Sequence, residues 1–408
     1  MTKMTDILII GSGLNGATLA IALARAGHGV TIIDQAKQHK EHITTFDGRS
    51  YALALASQRL LEAIDVWGKV ANYAQPILEI KVSDGCIAEG PAPFWIHFDK
   101  DELDEGPMGY MIEDRHLRPA LLKAISQENK ILLINEHSVI SQEISTSGVK
   151  IILDNDVEVE GRILVGSDGG ESDTAKRAGI TYTKWNYHQE SLVCAVRHEL
   201  PHNGIAHQLF LPAGPLAILP LENHRSSIVW SEDSMKAQQI NAMTDEEYMA
   251  ELGPRFGHFL GDIILEGKRY SYPLRLSLAQ NIIDHRLALI GDAAHTIHPI
   301  AGQGLNAGLR DVGALTEVLT KAARRGEDIG SITVLKRYQQ WRRFDTVTLA
   351  LATDSFNRIF SNDIPIFRAV RNVGMGIVNS FPDLKRKLIR EAAGLSGDLP
   401  QLLKGKQI

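Results

Sequence analysis

The 408-residue sequence predicts an α/β chain. Its expected parts are a Rossmann-like dinucleotide-binding domain, an inserted and mainly antiparallel β-sheet domain, and a C-terminal helical region. Three observations predict this. Residues 6–34 read as strand, tight turn, helix and strand. Two more glycine-and-acid segments follow apolar, strand-like runs near residues 168 and 292. Between them, residues 182–232 break into short aromatic and β-branched runs separated by Gly and Pro, the pattern of an antiparallel sheet. The motif positions divide the chain into a binding domain of 1–73, 99–181 and 269–350, a substrate domain of 74–98 and 182–268, and a helical region of 351–408.

The elements follow in order. DILII (6–10), a glycine turn, ATLAIALARAG and HGVTIID form one βαβ unit. Residues 51–70 and 114–128 carry apolar residues at three-and-four spacing and are expected to be amphipathic helices. Residues 148–165 read as short strands, and RLALI (286–290) as a buried strand. A long helix is expected from about Gly304 to Arg325. The remainder reads as helical, broken near Pro365 and Pro382.

Bulk composition narrows the class. The content is 44% hydrophobic and 23% charged, which is ordinary for a globular protein. The two cysteines, Cys86 and Cys194, cannot build a disulfide framework. With no basic segment ahead of the first strand, a reducing cytoplasmic setting is expected. No run of 18 apolar residues is present, so no membrane-spanning helix is expected. The net charge is −6, with a basic excess confined to residues 341–408. Nucleic-acid binding is not expected from an acidic chain. A basic tail on an acidic body suits an anionic membrane surface or an acidic partner.

The first motif is Gly11, Gly13 and Gly16, with Asp34 ending the second strand. Gly11 permits the turn, Gly13 admits a pyrophosphate to the backbone, and Gly16 lets the helix pack on the strand. The free N–H groups of the helix start favour phosphate, and Asp34 suits ribose hydroxyls. This motif alone does not separate FAD from NAD. The second motif, LVGSDG, places Asp168 on a loop after a strand; by itself it is also a common turn. The third, RLALIGDAAHTIHPIAGQGLNAGLRD, is the most informative. A strand delivers Gly291 and Asp292, whose carboxylate suits a ribityl chain. A loop carrying His298, Pro299, Gly302, Gln303, Gly304, Leu305 and Asn306 then brings backbone and a helix N-terminus to a flat ring, which makes the cofactor FAD. His295 and His298 lie beside this loop, though either suits a purely structural role. No acid–base pair or metal-ligand spacing stands out.

On these residues the chain resembles the single-component aromatic flavin monooxygenases of the para-hydroxybenzoate hydroxylase fold. HPIAGQGLNAGLRD (298–311) resembles the signature of the ubiquinone-biosynthesis hydroxylases within that group. FDGRSYAL (46–53) and EDRHLRPALL (113–122) resemble segments whose arginines contact the cofactor, which implies that role for Arg49 and Arg115. AHQLFLPAGPLAILPL (206–221) resembles substrate-domain strands. One departure is Ala175, which stands where the pattern D-G-x-x-S-x-x-R has arginine, with Lys176 and Arg177 following. Another is Leu209, where relatives often carry a charge. The resemblance implies FAD, O2 as co-substrate and NAD(P)H or a protein donor as reductant. It implies a C4a-hydroperoxyflavin that hydroxylates the aromatic ring of a polyprenylated phenol. Phe210, Leu216, Ile218, Leu219 and Trp230 would roof that pocket or simply form sheet core. Reduction of isoprenoid substrates and a non-catalytic flavin-bound subunit are the alternatives.

Apolar Phe367, Val370, Val373, Ile377, Val378 and Phe381 recur at helical spacing, with Arg368 and Arg371 on another face. Such a helix packs on the body or lies in a membrane interface. An insoluble polyprenyl substrate favours peripheral association with the membrane, or with a ubiquinone-biosynthesis complex, through residues 355–395.

Overall fold

The computed structural model describes residues 4–37, 46–86, 90–297, 303–343, 345 and 381–408. The chain opens with strand β1 (Thr5–Ile10), helix α1 (Leu14–Arg25) and strand β2 (Val30–Asp34). Strand β3 (Ser50–Ala54) runs directly into helix α2 (Leu55–Ala63). Strands β4 (Ala74–Ile77), β5 (Glu79–Cys86), β6 (Gly90–Asp99) and β7 (Gly109–Glu113) precede helix α3 (Asp114–Gln127). Strands β8 (Ile131–Asn135), β9 (Val139–Ile144), β10 (Val149–Leu153) and β11 (Glu158–Gly166) lead to the short helix α4 (Asp173–Arg177). Strands β13 (Ile205–Leu211), β14 (Gly214–Leu221) and β15 (Arg225–Asp233) form a meander, and the preceding strand β12 (Tyr182–His198) pairs with β15. Helices α5 (Ser234–Asn241) and α6 (Asp245–Phe256) and strand β16 (Ile263–Ala279) complete that region. Strands β17 (Ile283–Asp284), β18 (Leu287–Leu289) and β19 (His295–Thr296) precede helix α7 (Gln303–Arg324). Further helices cover 332–343 and Pro382–Ala392.

Among the described residues the strands form three sheets. The first, in order β17-β18-β11-β1-β2-β8 with the β9–β10 hairpin attached, has parallel β18, β11, β1, β2 and β8 at its centre. Ile7, Leu8 and Ile9 of β1 are fully buried, as a strand covered on both faces requires. The second sheet runs β19-β16-β12-β15-β14-β13-β5-β6, and the third is β3-β7-β4. This is the expected α/β architecture with an inserted, mainly antiparallel sheet. β16 runs through residues 268 and 269, across the boundary that the motif positions suggest.

Three local expectations change. Residues 51–70 are not one helix. Ser50–Ala54 pair with β7, so apolar spacing that suits a helix here serves a strand, and α2 begins only at Leu55. α5 and α6 were not expected. They cover one face of the large sheet and bury Trp230, Leu216 and Ile218 together with Tyr248, Leu252 and Phe256. Strand alternation then puts Leu219 on the opposite face, which packs toward the core of the parallel-sheet unit, and Phe210 is on that face too. So, of the five roof residues expected, Trp230, Leu216 and Ile218 are core beneath the helices. The apolar stripe over 364–380 lies outside the described residues. Among the described residues no helix is long and apolar enough to cross a membrane.

A buried ion cluster joins the two large units. Glu113 at the end of β7 accepts from Arg225 Nη2 on β15 at 2.7 Å and from Arg115 Nε at 2.6 Å. Arg225 also lies 3.4 Å from Glu266 on β16, and the Phe46 ring sits under both guanidinium groups. Two cations share one carboxylate at the seam, so removing the acid leaves them buried and unpaired.

The placement of Trp230 is testable. Trp230→Ala is expected to lower unfolding free energy by about 3–5 kcal/mol in urea melts, as a large-to-small core change, while leaving cofactor affinity within about twofold. A loss of affinity without loss of stability would put Trp230 in the pocket.

Candidate active site

The three sequence motifs are brought together by the parallel sheet. Ile10 of β1 lies in register with Gly166 of β11 on one side and Ile33 of β2 on the other, and Gly166 lies in register with Leu289 of β18. The carboxyl ends of four strands therefore fall along one edge. Asp34 ends β2, and Gly11, Ser167–Asp168 and Gly291–Asp292 come just after the other three ends. Main-chain bonds carry the ladder to the tips: Gly11 N–H to Ile33 O at 2.8 Å, Ser167 N–H to Ile10 O at 2.8 Å, Ile290 N–H to Gly166 O at 3.0 Å. β1 sits where the chain order turns from one side to the other, the position at which open α/β sheets bind ligands.

The first motif behaves as its spacing suggests. Gly11 has φ +98°, and a side chain there would overlap the Ser167 carbonyl. Gly16 packs against the Gly11 carbonyl with Ser167 Oγ beside it, so α1 meets the second motif closely. At Gly13 a side chain would meet nothing within 4 Å, and no side chain caps α1 there. The α1 amides are thus left open to a phosphate. Asp34 accepts from Ser12 N–H and Oγ–H, both at 2.5 Å, and from Ala36 N–H at 2.7 Å. It shapes the loop while keeping lone pairs for a ribose.

The second motif is more structural than a cofactor contact requires. Asp168 accepts from Ser172 Oγ at 2.5 Å, Thr174 N at 2.9 Å and Thr174 Oγ1 at 2.8 Å, which holds the start of α4. Ala175 is fully buried in the core beside β11. Lys176 pairs with Asp173, and Arg177 donates to the Val139 carbonyl.

The third motif follows β18 and is the one expected to serve the ring half. Asp292 is exposed to water, but the protein packed nearby withholds part of its solvation. This desolvation raises its carboxyl above the ordinary range against the opposing pull of His295 and Arg275. Among the described residues its carboxylate takes part in no hydrogen bond or ion pair. Gln303, Gly304 and Leu305 form the first turn of α7, and at Gly304 a side chain would meet nothing within 4 Å. Asn306 also ties elements together. Its amide donates to Ala52 O at 2.9 Å and accepts from Ala54 N–H and Ser57 Oγ–H, tying α7 to β3 and α2. His298, Pro299 and Gly302 lie outside the described residues.

Behind this edge sits a buried charge network. Asp311, on α7, has no exposed side-chain surface. Its Oδ2 accepts from Gly291 N–H at 3.0 Å and from His295 Nε2 at 2.7 Å, and its Oδ1 from Arg342 Nε at 2.7 Å. Burial opposes its charge, but the His295 and Arg342 charges and hydrogen bonds outweigh burial and hold the carboxyl below its usual range. Asn15 of the first motif wedges between Gly291 and Gly308, either of whose missing side chains would overlap its amide. Sequence reasoning missed Asn15, Asp311, Arg342 and Arg225. An acid on the apolar face of α7 was a signal for Asp311; nothing in the sequence marked Arg225.

Both arginines expected at the cofactor are held by acids. Arg49 pairs with Asp47 at 2.7 Å and Asp114 at 3.3 Å, and Arg115 with Glu113. Gly48 packs against Tyr270 of β16, which brings this loop under the inserted sheet. Glu79, His97 and Asp99 bring ligand-type atoms within 4.8 Å of one another, but Lys81 lies 3.6 Å from Glu79 and balances its charge.

The open backbone at Gly13 and Gly304, two helix starts and the uncommitted Asp292 fit a dinucleotide ending in a flat ring. Comparison with known proteins agrees. A family model described as FAD binding domain matches residues 4–346. The chain is 42% identical over 406 residues to the ubiquinone hydroxylase UbiL of Rhodospirillum rubrum, covering 99% of this chain and 93% of that protein. It is 34% identical over 402 residues to the 3-demethoxyubiquinol 3-hydroxylase of Escherichia coli, covering 96% and 99%. Among solved structures, p-nitrophenol 4-monooxygenase PnpA from Pseudomonas putida shares the fold at a TM-score of 0.80 and 18% identity, covering 97% and 99%.

Two outcomes test this geometry. Gly308→Ala is expected to cost roughly 1–3 kcal/mol by overpacking against Asn15, and to recover most of it in an Asn15→Ala background. Additive costs would contradict the wedge. Asp311 has a lowered folded-state pKa, so its contribution is present above the unfolded carboxylate pKa and fades as pH falls through the folded value. The melting-temperature gap between wild type and Asp311→Asn is therefore expected to be full near neutral pH and to close below about pH 4.

Proposed function

The chain belongs to the FAD-binding-domain family and, within it, to the ubiquinone-biosynthesis hydroxylases, and on that premise we propose that it hydroxylates the aromatic ring of a polyprenylated phenol, with FAD as cofactor, O2 as co-substrate and NAD(P)H or a protein donor as reductant. The observation that carries this reading is the meeting of three motifs along one strand edge, with Asp292 left uncommitted there. FAD, once bound and reduced, supplies the activation of O2 and the transfer of one oxygen atom to the ring; the other leaves as water.

The chain's own residues hold and enclose. Gly11, Gly13, Gly16 and the α1 amides take the pyrophosphate, and Asp34 the adenosine ribose. Asp292 takes the ribityl chain. The first turn of α7, with Gln303, Gly304 and Leu305, offers its positive end to charge developing at the ring. Asp168 supports this edge by holding α4. Asn306 fixes the α7 start, and Arg49 and Arg115 stand at the seam beneath the inserted sheet. His298, Pro299 and Gly302 belong to the ring loop. In this division residues 1–73, 99–181 and 269–350 hold the cofactor, and 74–98 and 182–268 roof the substrate. The roof face carries Phe210, Leu219 and Tyr270, and its apolar character excludes water from the reacting ring. Ala175 sits in packed core, so nothing in its surroundings favours a non-catalytic reading.

The residues after 351 are the membrane-facing part of this reading. The Pro382–Ala392 helix is held to the body by Lys385–Glu102 at 2.6 Å and Arg390–Glu105 at 2.9 Å. Phe381 and Leu384 stay exposed near Arg386 and Lys387. Apolar groups beside exposed cations suit an anionic lipid surface, where each Lys or Arg contributes about 1 kcal/mol.

Quinone profiling of a deletion strain is expected to show an accumulated intermediate short of one hydroxyl group, restored by the wild-type chain. Asp292→Ala is expected to weaken FAD binding by roughly 10–100-fold in fluorescence titration with little change in melting temperature of the apoprotein. Unchanged quinones in the deletion strain would refute the pathway. For the membrane reading, Arg386→Glu with Lys387→Glu is expected to cut co-sedimentation with phosphatidylglycerol vesicles about tenfold or more; equal retention would remove it.

A further inference from the structure

One half-buried amide on the roof face of the large sheet is left out of the fold's hydrogen bonding. Strand pairing sets Tyr270 of β16, Val193 of β12, Val229 of β15, Ala217 of β14, Gln208 of β13 and Val82 of β5 in one row across the sheet. Alternation puts this row on the face opposite α5 and α6, because its strand neighbours Leu192, Leu209, Leu216 and Ile228 pack beneath those helices. The rows on either side are closed. Ala195 and Ala206 join the core of the parallel-sheet unit, and Ser191, Ser231 and Phe210 are buried. Between them Tyr270, Val193, Val229 and Gln208 stay half-buried, and the first three join none of the hydrophobic clusters of the described residues.

Among the described residues the Gln208 amide makes no hydrogen bond. Gln189 on the same face differs: it donates to the Ala213 carbonyl at 2.6 Å and holds the β13–β14 turn. A partly desolvated amide among valines and an alanine lowers stability unless something bonds it. The location points to the substrate. Tyr270, at the end of the row, packs on Gly48 beside Arg49. Further along the same strand, Leu278 pairs with His295, three residues past Asp292. One strand thus carries both the row and the contact with the third motif. The valines and Tyr270 suit an aromatic ring and a prenyl chain. A phenol hydroxyl both donates and accepts, and an amide offers the match to either. We propose that Gln208 determines specificity: its amide hydrogen-bonds the ring hydroxyl of the phenol, held against Val193, Val229 and Tyr270. No Lys or Arg stands in the row, so it selects a hydroxyl and not a ring carboxylate. The proposal rests on the hydroxylase reading of the site.

The test is ligand binding to the FAD-loaded full-length protein, read from the shift in flavin absorbance. The ligands are a phenol carrying one short prenyl chain and the same compound with hydrogen in place of the hydroxyl. Wild type is expected to bind the phenol roughly 10–100-fold more tightly. Gln208→Met, which keeps the length and volume without the amide, is expected to bring the two affinities within about threefold, with melting temperature and FAD affinity unchanged. Gln208→Asn, which withdraws the same amide by one methylene, is expected to lose most of the preference too, and serves if the Met variant does not fold. A wild type that binds both ligands equally, or a variant that keeps the wild-type preference, overturns the inference and leaves the hydroxylase reading standing. If the FAD-loaded wild type binds neither ligand, or FAD itself does not bind, the hydroxylase reading falls and the inference with it.

Discussion

A single buried carboxylate organises the side of this molecule proposed to hold the flavin ring. Asp311 has no contact with water, yet it remains charged because a main-chain amide, an imidazole and a guanidinium converge on its two oxygens. Removing one partner from such a group leaves a buried charge unmatched, which costs several kcal/mol. This makes the geometry stiff. Gly291 is held at φ +57°, the His295 ring against Asp311, and the 332–343 helix against α7 through Arg342. Asp292 is then aimed outward by the backbone on either side of it. The uncommitted acid exists because the committed one lies directly behind.

The side proposed to hold the adenosine is built on a different constraint, close approach of backbone to backbone. Gly11, Gly16 and Ser167 interlock where β1 and β11 end, and no side chain fits between them. Asn15 then ties this region to the ring side through Gly291 and Gly308. Two mechanically distinct halves, one of sterics and one of charge, thus meet at a single residue. The inserted sheet is attached by a third device, the Glu113 carboxylate shared by Arg115 and Arg225.

Much of this was legible in the sequence, for reasons that can be named. Strand–turn–helix motifs depend on residues adjacent in the chain, so local spacing alone places Gly11–Gly16, Asp34 and Gly291–Asp292. The helix from about Gly304 was legible because α7 is long and strongly amphipathic. Where a role is set by a distant partner, the sequence is silent. Arg225 gains its role from Glu113, 112 residues away. Asn306, expected at the cofactor, also bonds Ala52, Ala54 and Ser57, more than 240 residues away. Trp230 and Ile218 looked like roof residues because the composition of a strand does not say which face a later helix will cover. Ser50–Ala54 failed as a helix because pairing with β7 outweighed local spacing.

The central claim is that this edge holds a flavin which transfers oxygen to an aromatic ring. Mass spectrometry of the product formed under ¹⁸O2 tests it most directly, using purified protein loaded with FAD, a reductant and a polyprenylated phenol. The account predicts one ¹⁸O atom in the new ring hydroxyl and none when the label is supplied as H2¹⁸O. A hydroxyl labelled from water, or a substrate changed only in its isoprenoid chain, would contradict it.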